Sequence, residues 1–135
     1  MNTAFKVDLI VEQGATFDPE WVWRTGRTPV DLTGCTAEMQ IRPAVSSNMV
    51  IYRLLSSEGE IILGGVTGKV QLLLDDTTTE TLPVGQYVYD LEITQVSLSR
   101  KRRLMEGKVT VTSNVTRVIP TIVSAAGFAA GTSTA

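Results

Sequence analysis

The sequence contains no histidine. Imidazole is the usual base beside a serine or cysteine nucleophile and a principal zinc ligand, so Ser-His-Asp and Cys-His sites are excluded, together with most zinc sites. A single cysteine, Cys35, rules out an intramolecular disulfide. The fold must then stand on packing or on contacts with other chains, which suits assembly in a reducing cytoplasm. No window approaches the roughly eighteen apolar residues of a membrane span, and the opening Met1-Asn2-Thr3-Ala4-Phe5-Lys6-Val7-Asp8 has no apolar stretch after a basic one. Neither membrane insertion nor a standard export signal is expected. Twelve Lys and Arg against 14 Asp and Glu give a net charge of -2, without the basic excess that neutralising a phosphate backbone requires. Nucleic acid is not an expected partner.

What is present is enough apolar material, 43% of 135 residues, to fill one core. Short runs of apolar and β-branched residues recur along the chain, each closed by Gly, Pro, Asp or Ser, and none holds a 3.6-residue period. Phe5 to Glu12 alternates Phe5, Val7, Leu9 and Val11 against polar neighbours, as a strand with one wet face does. Thr16 to Arg24 carries Phe17, Trp21 and Trp23 at one parity, and Pro19 inside it predicts an edge strand or a bulge. Cys35 to Arg42 alternates most clearly, with Cys35, Ala37, Met39 and Ile41 facing one way. Met49 to Leu55 is apolar on both parities apart from Arg53, which predicts a strand covered on both sides or one with a partner on its outer face. Glu60 to Leu63 and Lys69 to Asp75 read as a hairpin around Gly64-Gly65-Val66-Thr67-Gly68. Thr77-Thr78-Thr79-Glu80 has capping-box spacing and predicts one brief helical turn, stopped by Leu82-Pro83. Gly85 to Val96 and Arg103 to about Thr116 complete about eight strands.

Leu82-Pro83-Val84-Gly85-Gln86-Tyr87-Val88-Tyr89 is similar to the tyrosine corner that opens the penultimate strand of immunoglobulin-like domains, with Tyr89 where antibody domains keep a core cysteine. The expected fold is therefore an all-β, immunoglobulin-like antiparallel β-sandwich over residues 1–117, with Tyr87, Tyr89, Leu91, Met39 and Ile41 in its core. Residues 118–135 are expected to form a flexible low-complexity tail, because Thr121 to Ala135 is mostly Ala, Gly, Ser and Thr and buries too little surface to offset its ordering entropy. The ordered series Gln13-Gly14-Ala15-Thr16-Phe17, Val30-Asp31-Leu32-Thr33-Gly34-Cys35 through Arg42, Gly68-Lys69-Val70-Gln71-Leu72, Gly85 through Leu91 and Glu106-Gly107-Lys108-Val109-Thr110-Val111 resembles a group of phage β-sandwich proteins. That group includes the N-terminal domain of the phage baseplate upper protein. The resemblance covers roughly residues 10 to 117. It implies a virion part, assembled in the host cytoplasm, that joins tail core to receptor-binding or fibre components. Its implied partners are other virion tail proteins, with several copies in a symmetric assembly.

The residues offer no chemistry against that expectation. Cys35 shares its parity with Ala37 and Met39 and reads as a buried, inert thiol. Asp75-Asp76 lacks the loop that accompanies a calcium ligand set, and Asp76 suits the helix start instead. The glycines at 64, 65 and 68 lack the lysine and helix of a phosphate loop. No cofactor, metal site or catalytic set is expected. The candidate contact residues are Trp21 and Trp23, read as core residues or as an interface pair beside the Pro19 edge, and the run Arg100-Lys101-Arg102-Arg103, read as a solvated hairpin tip or as a dock for an acidic partner. In the tail, Ile122, Val123 and Phe128 stand out as spaced apolar anchors for a neighbour. The alternative function is a carbohydrate-binding or adhesive immunoglobulin-like module meeting the host surface, which the 6% aromatic content disfavours.

Overall fold

The computed structural model describes residues 4–114, and the tail residues Ile122, Val123 and Phe128 lie outside that range. Eleven strands run in chain order: β1 Phe5–Lys6, β2 Leu9–Glu12, β3 Glu20–Val22, β4 Arg24–Thr25, β5 Thr28–Pro29, β6 Cys35–Arg42, β7 Tyr52–Leu55, β8 Ile61–Leu63, β9 Lys69–Leu72, β10 Gly85–Gln95 and β11 Arg100–Thr112. One short helix, α1 Asp76–Thr81, crosses between β9 and β10. The larger sheet has the order β1-β11-β10-β6-β7, with β2 also on β11, and the second sheet has the order β3-β9-β8. Strands β4 and β5 form a separate small hairpin turned at Gly26.

The two sheets bury their inner faces against each other. Met39, Ile41, Leu91, Ile93, Val109 and Val111 from one meet Ile61, Val70 and Leu72 from the other in a single apolar cluster. The period of two explains the split: in β10 the inward Tyr89, Leu91 and Ile93 are buried and the alternate Asp90, Glu92 and Thr94 are not. Strands β6, β10 and β11, flanked by β7, correspond to the CFG sheet with the added strand of variable-type immunoglobulin domains, and β3, β9 and β8 to strands B, E and D of the other. The chain is thus an immunoglobulin-like β-sandwich. Tyr89, Leu91, Met39 and Ile41 are core residues as the alternation requires, while Tyr87 is half-buried against the cluster. The Tyr87 hydroxyl donates to the Pro83 carbonyl at 2.8 Å, which is the tyrosine-corner bond itself.

Several expectations require correction. The segment Phe5 to Glu12 is two strands rather than one, and both pair parallel to β11 instead of antiparallel. Side-chain chemistry takes the break out of the ladder. The Tyr89 hydroxyl donates to the Val7 carbonyl at 2.6 Å, and the Lys108 N–H donates to Asp8 Oδ1 at 3.0 Å. The strand expected from Met49 starts only at Tyr52, and Met49 and Val50 are exposed in the loop before it rather than covered. The helix is capped by Asp75, whose Oδ1 accepts from the Thr78 N–H at 2.8 Å, two residues ahead of the expected Thr77 cap. Hydrogen bonds from Thr78 and Thr77 hold the Asp75 carboxyl below the usual range, so it serves as a charged cap.

Candidate functional site

Strand β3 is an edge, but it covers only Glu20–Val22 and not the expected Thr16 to Arg24, and Pro19 stands just before it with its backbone turned towards β9, so its missing donor shortens the ladder and does not make the open side. It pairs with β9 and has no strand on its other side among the described residues. The register fixes which backbone groups are free. Trp23 N–H donates to the Gly68 carbonyl at 2.8 Å and Leu72 N–H to the Pro19 carbonyl at 3.0 Å, so this parity, with Trp21 between them, faces β9, while the Trp23 carbonyl accepts from the Val30 N–H at 2.9 Å. By alternation, Glu20 and Val22 turn their backbone groups to the open side.

Beside this edge, between the two sheets, lies a cleft of about 290 Å³. Trp21, Trp23 and Val70 line it from the second sheet, and Phe5, Leu104 and Met105 line it from the first. Both tryptophans are half-buried against the core. They are core wall and surface at once, so the two readings of the pair merge. Sequence alternation did not foresee that Leu104 and Met105 would both be buried. The β10–β11 pairing shifts register there, Leu91 opposing Met105 while Glu92 opposes Arg103. Leu104 is the extra residue of a β-bulge, and the bulge turns two successive apolar side chains inward.

The basic run is not a hairpin tip. The connection from β10 is made by a 3₁₀ turn over Val96–Leu98 and by Ser99 at φ 47°, and all four cations stand in the first residues of β11. Strand alternation then sends Lys101 and Arg103 to the outer face of the large sheet, over the carboxylates of β10. Arg103 Nε lies 3.3 Å from Asp90 Oδ2, its Nη1 lies 3.2 Å from Glu106 Oε1, and Lys101 lies 4.0 Å from Glu92. Lys6 closes on Glu106 at 2.8 Å. A hydrogen bond from Lys6 helps to hold the Glu106 carboxyl below the usual range. Further along the face, Arg53 meets Glu38 at 2.8 Å, and Gln40, with Arg53 behind it, keeps the Glu38 carboxyl low. The outer face carries a groove of about 530 Å³, but its charges largely answer one another. Arg100 and Arg102 take no part in these ion pairs.

Exposed apolar side chains stand at both ends of the sandwich, besides Phe5, Ile10 and Val22 on the edge strands. Arg42 pairs with Val88 and Glu12 with Thr112, which places the loops after β2, β6 and α1 at one end. There Val45 is 88% exposed, Met49 62% and Val84 56%. At the other end Cys35 pairs with Gln95, and the Leu32 N–H donates to the Gly65 carbonyl. Val66, Val96 and Leu98 are each more than half exposed there. Apart from Met49, at the head of a run read as a strand, these residues did not stand out in the sequence, since isolated apolar residues in loops carry no periodic signal.

Cys35 is half-buried rather than fully buried. Burial, with the Asp31 carboxylate adding to it, pushes its thiol up, away from the reactive thiolate. Among the described residues no three Cys, Asp or Glu side chains are grouped to hold a metal ion, and no helix is long and apolar enough to cross a membrane.

No protein-family model matches the sequence, and no curated protein matches it. Among solved structures, the extracellular domain of the voltage-gated sodium channel β4 subunit, described as a parallel homodimer with a role in cell-cell adhesion, overlays with a TM-score of 0.44 at 8% identity, covering 85% of this chain and 98% of that one. Drosophila N-cadherin EC1-4 overlays with a TM-score of 0.30 at 9% identity, covering 81% of this chain and 23% of that one.

Proposed function

We propose that the chain is a non-catalytic structural module of a bacteriophage tail, working as a joint between neighbouring virion proteins. The observation that carries this reading is the placing of exposed apolar side chains at both ends of the sandwich, Val45, Met49 and Val84 at one and Val66, Val96 and Leu98 at the other. Loop-borne apolar residues on a rigid two-sheet frame are contact points, and an opposed pair of them suits a part held between two partners. The ordered series of residues that resembles the phage baseplate group supplies the kind of assembly. The compensated charges on the sheet face between the ends support packing rather than capture of a charged ligand.

Quantitative mass spectrometry of purified virions tests the proposal. Val45→Lys with Met49→Lys, and separately Val96→Lys with Leu98→Lys, are expected to fold, because the substituted side chains are in water already, and to be lost from particles. Absence of the wild-type chain from virions, or full incorporation of both variants, would overturn the joint. Binding of the isolated chain to host cells or to glycans would favour the adhesive alternative instead.

A further inference from the structure

We propose that the free edge of β3 and the apolar cleft beside it accept a β-strand donated by residues 115–123 of a second copy of this chain. The acceptor side is defined by the backbone. Among the described residues no strand pairs with the N–H and C=O groups that Glu20 and Val22 turn outward along one line, and directly inside that line the cleft offers Phe5, Trp21, Trp23, Leu104 and Met105 to an incoming side chain. Main-chain bonds to the edge and apolar side chains in the cleft are the two elements of strand addition. The usual remedies for an exposed edge are weak here. Strand β3 is short, but Val22 is exposed on it and its one charge, Glu20, is already engaged by Lys69 at 3.3 Å.

The donor is argued from composition, length and direction. Residues 115–123 read Val-Thr-Arg-Val-Ile-Pro-Thr-Ile-Val, in which seven of nine are β-branched. That is a strand composition with a strong apolar content. Pro120 is compatible with an added strand, because its missing donor can face outward, where it also prevents a further strand from joining. Strand β11 carries the chain from Met105, which lines the cleft, to Asn114, whose side chain stands over Gly14 at the opposite end of the sandwich. Nine extended residues span roughly 30 Å, enough to return to the level of the cleft. A segment returning within the same molecule would run in the direction of β3, since Gly14, ahead of β3 in the chain, lies beside Asn114 and β3 leads away from that end towards Gly68. A second copy can enter antiparallel, the better ladder, and reciprocal donation closes a two-fold dimer. This contact does not depend on the phage reading and survives if the larger assembly proves to be of another kind.

The test uses the full chain in three forms: wild type, Val22→Pro, which removes one free-edge donor and leaves the β9 ladder intact, and Ile119→Asp with Ile122→Asp in the donor. Light scattering across a concentration series is expected to show a dimer for wild type and a dissociation constant raised about tenfold or more for each variant, the change that loss of one or two such contacts brings. An equal mixture of the two variants should associate again, because one supplies the donor and the other the edge, and this rescue shows that both fold. Trp21 and Trp23 are the only tryptophans, so emission moves to the blue as the cleft fills, and a peptide of residues 113–124 should reproduce the shift on the donor variant. If Val22→Pro does not fold, Phe5→Asp at the opposite rim takes its place. A wild type that is monomeric at every concentration, with emission already to the blue of the donor variant, would assign the cleft to the chain's own tail and overturn the second-copy proposal. Donor and edge variants that dimerise as wild type would remove the strand altogether.

Discussion

Gly107 shows how one residue positions a whole edge. The Val7 carbonyl and the Asp8 carboxylate crowd the place where its Cβ would stand, and the same two groups take the hydrogen bonds of Tyr89 and Lys108. A methyl at 107 must push the β1–β2 junction away from β11. Gly107→Ala is therefore expected to destabilise the domain by about 1 to 3 kcal/mol, the usual range for overpacking. Urea unfolding of the variant measures it, and an unchanged midpoint would show that the junction is soft. Thr79 is the other residue whose role is invisible in the sequence. It is fully buried, its hydroxyl accepts from the Gly14 N–H at 3.0 Å and donates to the Ala15 carbonyl at 2.9 Å, and so it ties α1 to the turn after β2.

At the scale of the element, β11 decides what the basic run can do. A run of four cations reads as a loop when only charge is considered, but a strand sends alternate side chains to opposite faces, and here one face of β10 supplies the carboxylates. Arg103 is more than half exposed and its partners Asp90 and Glu106 are half-buried but open to water, so the network is screened and each pair is worth little. Arg103→Gln is expected to lower stability by no more than about 1 kcal/mol at low salt, and the loss should vanish at high salt. Arg100→Gln, outside the network, should leave stability unchanged at either salt concentration. A salt-independent loss at Arg103 would mean that the guanidinium packs rather than pairs.

The whole molecule has a pH signature on its alkaline side. Burial, with a hydrogen bond to Glu60 behind it, pushes the Tyr52 phenol from its ordinary value near 10 up to about 12, and burial moves Tyr89 in the same direction. For a group raised on folding, the stabilisation is complete below the unfolded value and disappears as pH rises through the folded one. The tyrosine contribution to stability is therefore expected to be intact up to about pH 10 and to fall away between pH 10 and 12. Thermal midpoints measured through this window with wild type and Tyr52→Phe separate the tyrosine part from the lysine background. Identical slopes would show that Tyr52 ionises without opposition.

Local alternation carried most of the architecture. The inward sets Met39 with Ile41 and Tyr89 with Leu91 and the Tyr87 corner are each properties of a few consecutive residues, because side-chain parity acts at that range. By themselves these residues determined an all-β chain with two wet and two dry sheet faces. The direction of β1 and β2, the bulge at Leu104, the cleft between Phe5 and the tryptophans, and the pairing of Lys101 and Arg103 all depend on which strand lies beside which. Register between segments up to a hundred residues apart, as between Asp8 and Lys108, is set by the closing of the sandwich, and no short window of sequence contains it.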